Sequence, residues 1–163
     1  MLLTFLTPIV GIVSYVGSSV IAMILISELL NVDIGFGDSW KAPLPNGYQL
    51  VSVDMPDNGS IYKDDDHRIE GIDGVRQLEV IGDSVIGLSN NKYFLLDTKI
   101  HKVTYYPSVF ELQKGVGKPN IALISNDDYF GSVREKAYII GAIICLLFTL
   151  SVLFVMWKAG LSR

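Results

Sequence analysis

The stretch Ala137–Trp157, AYIIGAIICLLFTLSVLFVMW, decides the fold of this chain. It contains no charged residue, and twelve of the residues from Ile139 to Val155 are Ile, Leu, Val or Phe. Each of these side chains favours membrane insertion by about 0.3–0.6 kcal/mol near the helix centre, so their sum is on the order of −5 kcal/mol. We predict a transmembrane helix over residues 134–158.

The flanks of this run carry the residue types that lie at membrane interfaces. Tyr138 and Trp157 stand near its two ends, and such aromatic rings are enriched at the level of the lipid headgroups. Lys158 follows, with an aliphatic stem long enough to bring its charge out to the interface. We therefore predict Tyr138, Trp157 and Lys158 as membrane-interface residues and residues 159–163 as a short C-terminal tail.

A second uncharged stretch, Met1–Ser27, lies at the other end of the chain. Thr7 is a suitable N-cap and Pro8 a suitable first helical residue, because proline lacks an amide hydrogen that would be unpaired there. Since about 20 helical residues cross a bilayer core roughly 30 Å thick, we predict a transmembrane helix within residues 1–30. The alternative is a cleaved signal peptide, but no Lys or Arg precedes the apolar run and the run is longer than such peptides need.

Small residues recur at four-residue spacing in both apolar runs. Such stripes let two helix backbones approach closely in lipid, where the hydrophobic effect does not drive helix association. The predicted contact forms either within one chain or with a partner, so the expected partners are the lipid bilayer and other membrane proteins or a second copy. The helix-packing candidates are Ser14, Ser18 and Ala22 in the first run and Gly141, Cys145 and Thr149 in the second.

Charge and cysteine content limit the function of the central part. Residues 31–133 carry 15 Asp and Glu against nine Lys and Arg, a net charge of −6. An acidic face repels phosphate, so this charge argues against nucleic acid and anionic lipid headgroups as partners. Cys145 is the only cysteine, so the chain has neither a disulfide framework nor a cysteine metal site.

The orientation in the membrane is not decided by the positive-inside rule. Three basic residues, Lys41, Arg134 and Lys136, flank the central part, and the other side carries the α-amino group, Lys158 and Arg163. Loops longer than about 60 residues also largely escape the rule.

The central part reads as a linker followed by a β-rich domain. Residues 31–46 are punctuated by Gly and Pro without an apolar period, which indicates a juxtamembrane linker. Residues 47–133 contain short segments rich in Val, Ile, Leu and Tyr, separated by turn residues, which predicts an antiparallel meander. The predicted strands are Tyr48–Val53, Val75–Ile81, Ser84–Ser89, Lys92–Asp97 and Ile100–Tyr106, with a further short strand at Ile121–Ile124 that ends at Asn126-Asp127-Asp128.

One short helix is predicted after the meander. Ser108 and Glu111 have the spacing of a capping box, and Gly115 is a suitable stop, so the helix should cover Val109–Lys114. Alternation along Tyr93-Phe94-Leu95-Leu96 gives apolar bulk to both faces of the sheet. One face is core, and the other is covered by the short helix or by a partner; we favour the helix. Tyr105, Tyr106 and Phe110 complete the aromatic set.

Several of these motifs together resemble a set of small, uncharacterised proteobacterial envelope proteins, in which a membrane anchor or lipoprotein signal precedes a similar β-domain. The resemblance covers about residues 44–114, and the second apolar run departs from the commonest arrangement. It implies a bacterial origin and an exported domain, and it assigns no catalytic residue. The motifs are Leu44-Pro45-Asn46-Gly47-Tyr48, Ile81-Gly82-Asp83, Tyr93-Phe94-Leu95-Leu96-Asp97-Thr98-Lys99, and Val103 with Tyr105.

Two motifs suggest chemistry. Gly82-Asp83-Ser84 resembles the nucleophile block of GDS-type esterases, and Asp64-x-x-His67 their acid and base block. The blocks occur in the wrong order, the tripeptide recurs at Gly37-Asp38-Ser39, and the domain is too small for the α/β scaffold of that family. A strand-connecting turn is the better reading of Gly82-Asp83-Ser84.

The acidic run offers oxygen and imidazole ligands to a cation. Asp64, Asp65, Asp66 and His67 are the candidate metal ligands, but their spacing matches no known metal loop, and consecutive acids usually face water. His101 lies in a predicted strand and is more often incidental than catalytic. The sequence predicts no cofactor.

Together these features predict an α+β membrane protein in which two transmembrane helices flank a small antiparallel β-sheet domain with one short helix. The expected function is that of a non-enzymatic accessory or interaction subunit of an envelope complex. The expected location is the bacterial inner membrane, with the central domain in the periplasm. A periplasmic ligand- or cation-sensing module and an envelope hydrolase are the alternatives.

Overall fold

The structure, a computed structural model, describes residues 2–30, 32, 39–63 and 71–161 of the 163 in the chain. It divides into two compact units, one formed by Met1–Leu30 with Glu135–Arg163 and the other by Asn31–Arg134. The helices are α1 (Leu2–Leu30), α2 (Val109–Val116) and α3 (Asn126–Leu161). The strands are β1 (Ser39–Pro43), β2 (Tyr48–Val53), β3 (Gly59–Lys63), β4 (Ile72–Ile81), β5 (Ser84–Ser89), β6 (Lys92–Asp97), β7 (Lys102–Tyr106) and β8 (Ile124–Ser125).

The second unit is built on one antiparallel sheet. Its strands follow the order β1-β2-β3-β4-β5-β6-β7, so each pairs with its neighbour in the chain, and β8 pairs with β4. Tight turns join most neighbours; at the β5–β6 turn, Asn90 and Asn91 adopt the positive φ that a two-residue hairpin needs. The predicted α+β architecture, an antiparallel meander with an apolar helix at each end of the chain, is confirmed.

One face of the sheet carries the main core. Leu50 and Ile61 pair across β2 and β3, and Val85 and Leu96 pair across β5 and β6; all four side chains are fully or almost fully buried. The first turns of α3 cover this face through Phe130, which is buried in the same cluster, and through Tyr129 and Val133 beside it. An apolar sheet face and a short helical segment thus exclude water from each other.

Helix α2 packs against β6 and β7 and buries Leu112 fully. A Cβ at Gly115 would lie 2.4 Å from the Tyr106 hydroxyl, so the absence of a side chain lets the helix approach that ring. Ser108 caps the helix by accepting a hydrogen bond from the Glu111 amide at 3.3 Å. The helix runs through the predicted stop at Gly115 and ends at Val116. Gly117 caps it with a φ of 72°, the left-handed conformation of a C-terminal glycine.

The linker prediction differs from the structure at its C-terminal half. Ser39–Pro43 form β1, which is the first strand of the sheet, and Pro45–Gly47 form a 3-10 turn. Pro43 argues against a strand in the sequence, but an edge strand tolerates proline because one side of its backbone has no strand to pair with. The sequence does not predict strand β3 either, because its five residues lie between a turn and the acidic run 64–66.

Both long helices begin earlier than predicted. Helix α1 starts at Leu2 and contains Pro8, so Thr7 is not its N-cap. Helix α3 starts at Asn126 instead of residue 134, and the predicted strand Ile121–Ile124 is reduced to β8. The Asn126-Asp127-Asp128 segment is therefore the first turn of a helix and not a break.

Candidate functional site

The outer surface of the first unit is apolar. Two stretches, Thr7–Leu30 and Asn126–Ala159, are helical, long enough and apolar enough to cross a membrane. Within the most apolar window of each, only 11% and 17% of the residues are buried, which is unlike the central helix of a water-soluble core. Phe154 on α3 is 70% exposed and Leu29 on α1 is 79% exposed. A surface of this kind is stable when lipid, and not water, surrounds it.

The two helices of this unit contact each other where a glycine on one meets a branched apolar side chain on the other. A Cβ on Gly141 would lie 3.0 Å from Cδ1 of Ile26, and a Cβ on Gly11 would lie 3.9 Å from Cδ1 of Leu153. Gly11, near the start of α1, meets Leu153, near the end of α3, whereas Ile26, near the end of α1, meets Gly141, which comes earlier in α3. The two helices therefore run antiparallel. At each point the missing side chain of the glycine leaves room for the branched side chain of the opposite helix.

The predicted helix-packing residues are distributed over this contact. Ala22, Cys145 and Thr149 are buried, with exposed fractions of 5%, 2% and 8%. Ser14 and Ser18 are half-buried and line an open groove beside the contact together with Gly17 and Ile21. The second stripe thus lies against α1 of the same chain, while part of the first stripe stays open on the surface.

The predicted interface residues are on the outside of α3. Tyr138 is 44% exposed and Trp157 is 50% exposed, and Lys158 is also exposed. This exposure is what contact with lipid headgroups requires of them.

A polar cluster joins three turns of the sheet unit. The Asn46 amide donates to Oδ1 of Asp83 at 3.2 Å and to Oγ1 of Thr98 at 2.8 Å. The Thr98 amide and hydroxyl both donate to the Asp83 carbonyl oxygen. The Lys99 ammonium pairs with Asp83 at 2.7 Å. This Asn46–Asp83–Thr98–Lys99 cluster therefore ties the turn before β2 to the β4–β5 and β6–β7 turns.

Electrostatics follow from the same contacts. The hydrogen bond from Lys99, followed by that from Asn46, lowers the pKa of Asp83, and the bond to Asp83 raises the pKa of Lys99. Next to the cluster, the Tyr48 hydroxyl lies 3.0 Å from Nδ1 of His101, and burial raises the pKa of Tyr48.

The geometry gives the suggested chemical motifs little support as sites. Asp83 is held by Lys99 and Asn46, and Ser84 is the first residue of β5. The other half of the esterase pattern and the candidate metal ligands, Asp64, Asp65, Asp66 and His67, lie outside the described residues. Within the described ranges, no three His, Cys, Asp or Glu side chains are grouped so that they could hold a metal ion.

An arginine–tryptophan pair is absent from the sequence-based predictions. The guanidinium carbon of Arg134 lies 4.4 Å from the centre of the Trp40 ring, and this ring is 5.9 Å from that of Phe130. The sequence analysis assigns Trp40 to a linker, so it predicts no contact between Trp40 and Arg134. The signal that the sequence does offer is an arginine just before the apolar run together with an aromatic residue shortly after the first helix.

Comparisons with protein-family models, with curated proteins and with solved structures find no match.

Proposed function

We propose that this chain is a non-enzymatic integral membrane protein that presents a small β-sheet domain as an accessory or interaction subunit of an envelope complex. The observation that carries the proposal is the apolar exterior of the α1–α3 pair, on which many Ile, Leu, Val and Phe side chains are exposed. In water such a surface would drive aggregation, whereas in a bilayer it is the solvent-facing side.

Membrane integration is tested by alkaline carbonate extraction followed by ultracentrifugation. The chain should remain in the pellet and move to the supernatant only with detergent, because two apolar helices resist removal by high pH. Recovery of the protein in the carbonate supernatant would contradict the proposal.

The placement we propose is the bacterial inner membrane, with both ends of the chain in the cytoplasm and the sheet domain in the periplasm. It is supported by the resemblance of residues 44–114 to envelope proteins with an exported domain, and by the antiparallel helices, which bring both chain ends to one side. External protease added to spheroplasts should cut the domain. Protection of the domain in intact spheroplasts would reverse this orientation.

The interaction role is supported by the open groove, which α1 residues line together with Ile144 and Phe148 of α3. A Cβ on Gly17 would meet no atom from another part of the described chain within 4 Å, and its neighbours Ser14 and Ser18 are small, so a further helix could approach closely there. On blue-native electrophoresis of gently solubilised membranes, the wild-type chain should migrate in an assembly larger than the monomer. A band at the monomer position alone would refute the interaction role.

A pair of substitutions locates the contact. Gly17→Leu fills the groove and should shift the larger assembly toward the monomer. Val16→Leu adds a methylene group to a side chain that is 58% exposed and does not line the groove, so it should leave the assembly intact. Equal migration of the two variants would show that the assembly does not use this groove.

A further inference from the structure

The Trp40–Arg134 pair is held in place from both sides. The Tyr129 hydroxyl donates to the Pro43 carbonyl oxygen at 2.8 Å, which fastens α3 to β1 little more than one turn before Arg134. Phe130 packs against the Trp40 ring with its own ring tilted. The Trp40 ring therefore holds the guanidinium group by stacking, which does not use the hydrogen-bond donors of Arg134.

One hydrogen-bond donor of Arg134 lacks a partner within the described part of the chain. Its Nε is buried without a hydrogen-bond partner, and the two ion pairs found among the described residues, Lys99–Asp83 and Lys118–Glu79, do not include it. A guanidinium has five N–H donors arranged as a fork that matches two phosphate oxygens, and leaving such donors unpaired is costly. The missing partner is thus expected to be an anion with paired oxygens.

The position of Arg134 along α3 indicates which anion this is. Arg134 comes three residues before Ala137, the first residue of the uncharged run, and α3 is continuous through both. At about 1.5 Å per residue, its backbone lies about 4.5 Å from the start of the apolar segment, which is headgroup depth in a spanning helix. This step rests on the proposed membrane function.

We propose that Arg134, held against Trp40, binds the phosphodiester oxygens of a membrane phospholipid. Free phosphate offers the same chemistry, but the net charge of −6 over residues 31–133 repels an anion that must be collected from solution. A lipid phosphate is held at this depth by its own bilayer and does not have to be collected. The occupant is therefore a lipid headgroup.

Native mass spectrometry of the full chain released from detergent provides the test. The wild type should retain phospholipid. Arg134→Gln should weaken the lipid affinity about tenfold, the effect expected for one charge-assisted hydrogen bond, and lower the bound fraction accordingly. Lys136→Gln removes a nearby charge that is not stacked on Trp40 and should retain lipid like the wild type. Retention by Arg134→Gln at the wild-type level, or equal losses in both variants, would overturn the proposal.

Two further measurements complete the test. One asks whether lipid loss reflects a folding defect, and the other asks whether the bound phosphate belongs to a lipid or is free phosphate. Arg134→Lys keeps the charge without the fork and should retain less lipid than the wild type, while all variants keep the wild-type melting temperature to within a few degrees. A variant that melts far below the wild type with the same lipid loss would make Arg134 structural and overturn the proposal. Displacement of the lipid by millimolar inorganic phosphate would assign the site to free phosphate and also overturn it.

The fluorescence of Trp40 tests the depth. Trp157→Phe leaves Trp40 as the only tryptophan of the two in the chain. A nitroxide on the lipid headgroup should quench its emission more strongly than a nitroxide deep in the acyl chains. The opposite order would overturn the inference while leaving the membrane anchor intact, whereas release of the chain by carbonate would remove the anchor itself.

Discussion

Asn46 stands in the left-handed region with φ of 57°, a conformation that asparagine tolerates better than most residues. In this conformation its amide reaches both Asp83 and Thr98, which are 37 and 52 residues away in the chain. Thr98 is fully buried, and its hydroxyl has both an acceptor and a donor partner. Because buried polar groups are costly without partners, we infer that the hydrogen bonds of this cluster stabilise the arrangement of the three turns.

Acid should weaken this cluster by protonating the Asp83 carboxylate. Its pKa in the folded chain is lowered, so the ionised carboxylate adds stability above the unfolded pKa of about 3.9, and this contribution is lost as the pH falls through the lower folded value. We expect Asp83→Asn to flatten the fall in melting temperature below about pH 4.

The control for Asp83→Asn is Asp57→Asn, which removes an exposed acid from another turn. Melting of the detergent-purified chain, followed by circular dichroism at several pH values, checks the prediction. If both variants keep the acid dependence of the wild type, Asp83 does not carry it.

Alanine substitutions at two glycines with positive φ distinguish the cost of backbone strain from the cost of a steric clash. Gly74 in β4 has φ of 70°, and a Cβ there would lie 2.3 Å from Oδ1 of Asn90; Gly82 has φ of 59° with open space around it. A non-glycine residue in this region costs about 1–2 kcal/mol. Gly82→Ala should lower the free energy of unfolding by about that amount, and Gly74→Ala by more.

The additional loss in Gly74→Ala has a local cause. The Asn90 side chain donates to the Asp73 carbonyl oxygen at 3.1 Å, so making room for a methyl group requires breaking that hydrogen bond. Denaturant unfolding of both variants measures the difference. Equal destabilisation would mean that Asn90 moves aside freely.

At the scale of elements, the start of α3 depends on one serine. Ser125 Oγ accepts from the Asp128 amide at 3.1 Å and donates to Oδ2 of Asp128 at 2.6 Å. As at Ser108, the serine oxygen caps the helix by accepting from the amide three residues later, but the Asp128 carboxylate accepts from the Ser125 hydroxyl and not from its backbone amide. Ser125→Ala should therefore lower the free energy of unfolding by about 1 kcal/mol.

The control for the cap is Ser132→Ala in the same helix. The Ser132 hydroxyl donates to the Tyr129 carbonyl oxygen, which the helix backbone already uses. Its loss should change the stability by at most a few tenths of a kcal/mol. Urea unfolding measures both variants, and equal losses would remove the capping role from Ser125.

The elements that the sequence predicts best are those with strong local patterns. Strands β2, β5 and β6 show short apolar runs between turn residues, and the cap of α2 is a local pattern at Ser108 and Glu111. Strand β1 escapes prediction because proline is a breaker except at a sheet edge, and only the sheet reveals that it is an edge. The Asn46–Asp83–Thr98–Lys99 cluster escapes prediction for a related reason: its residues meet only when the strand register is known.

At the scale of the whole molecule, charge segregation along the sequence predicts the two units. Uncharged runs at both ends become the helix pair, and the acidic middle becomes the sheet unit. The antiparallel pairing of α1 and α3 could not be predicted, because small-residue stripes fit a contact within the chain or with a partner equally well. Which stripe faces which helix depends on packing that sequence spacing alone does not specify.

This pairing can be tested with the native cysteine. Cys145 and Ala22 are both buried in the helix pair, and the Gly141–Ile26 contact sets an antiparallel register that brings residue 22 toward residue 145. Ala22→Cys should therefore be joined to Cys145 by a short thiol-specific cross-linker. After proteolysis within the sheet domain, the two helical halves should stay together on a denaturing gel.

Val20→Cys is the matched control, because Val20 is on the same helix and is 56% exposed. The thiol at position 20 points away from α3, so the two helical fragments of this variant should separate after proteolysis. Adding Gly141→Leu to Ala22→Cys should also abolish the cross-link, since a Cβ at this position already lies 3.0 Å from Ile26 and a leucine forces the helices apart. If Val20→Cys is cross-linked as efficiently as Ala22→Cys, the two helices have no fixed facing surfaces, and the small residues do not select this pairing.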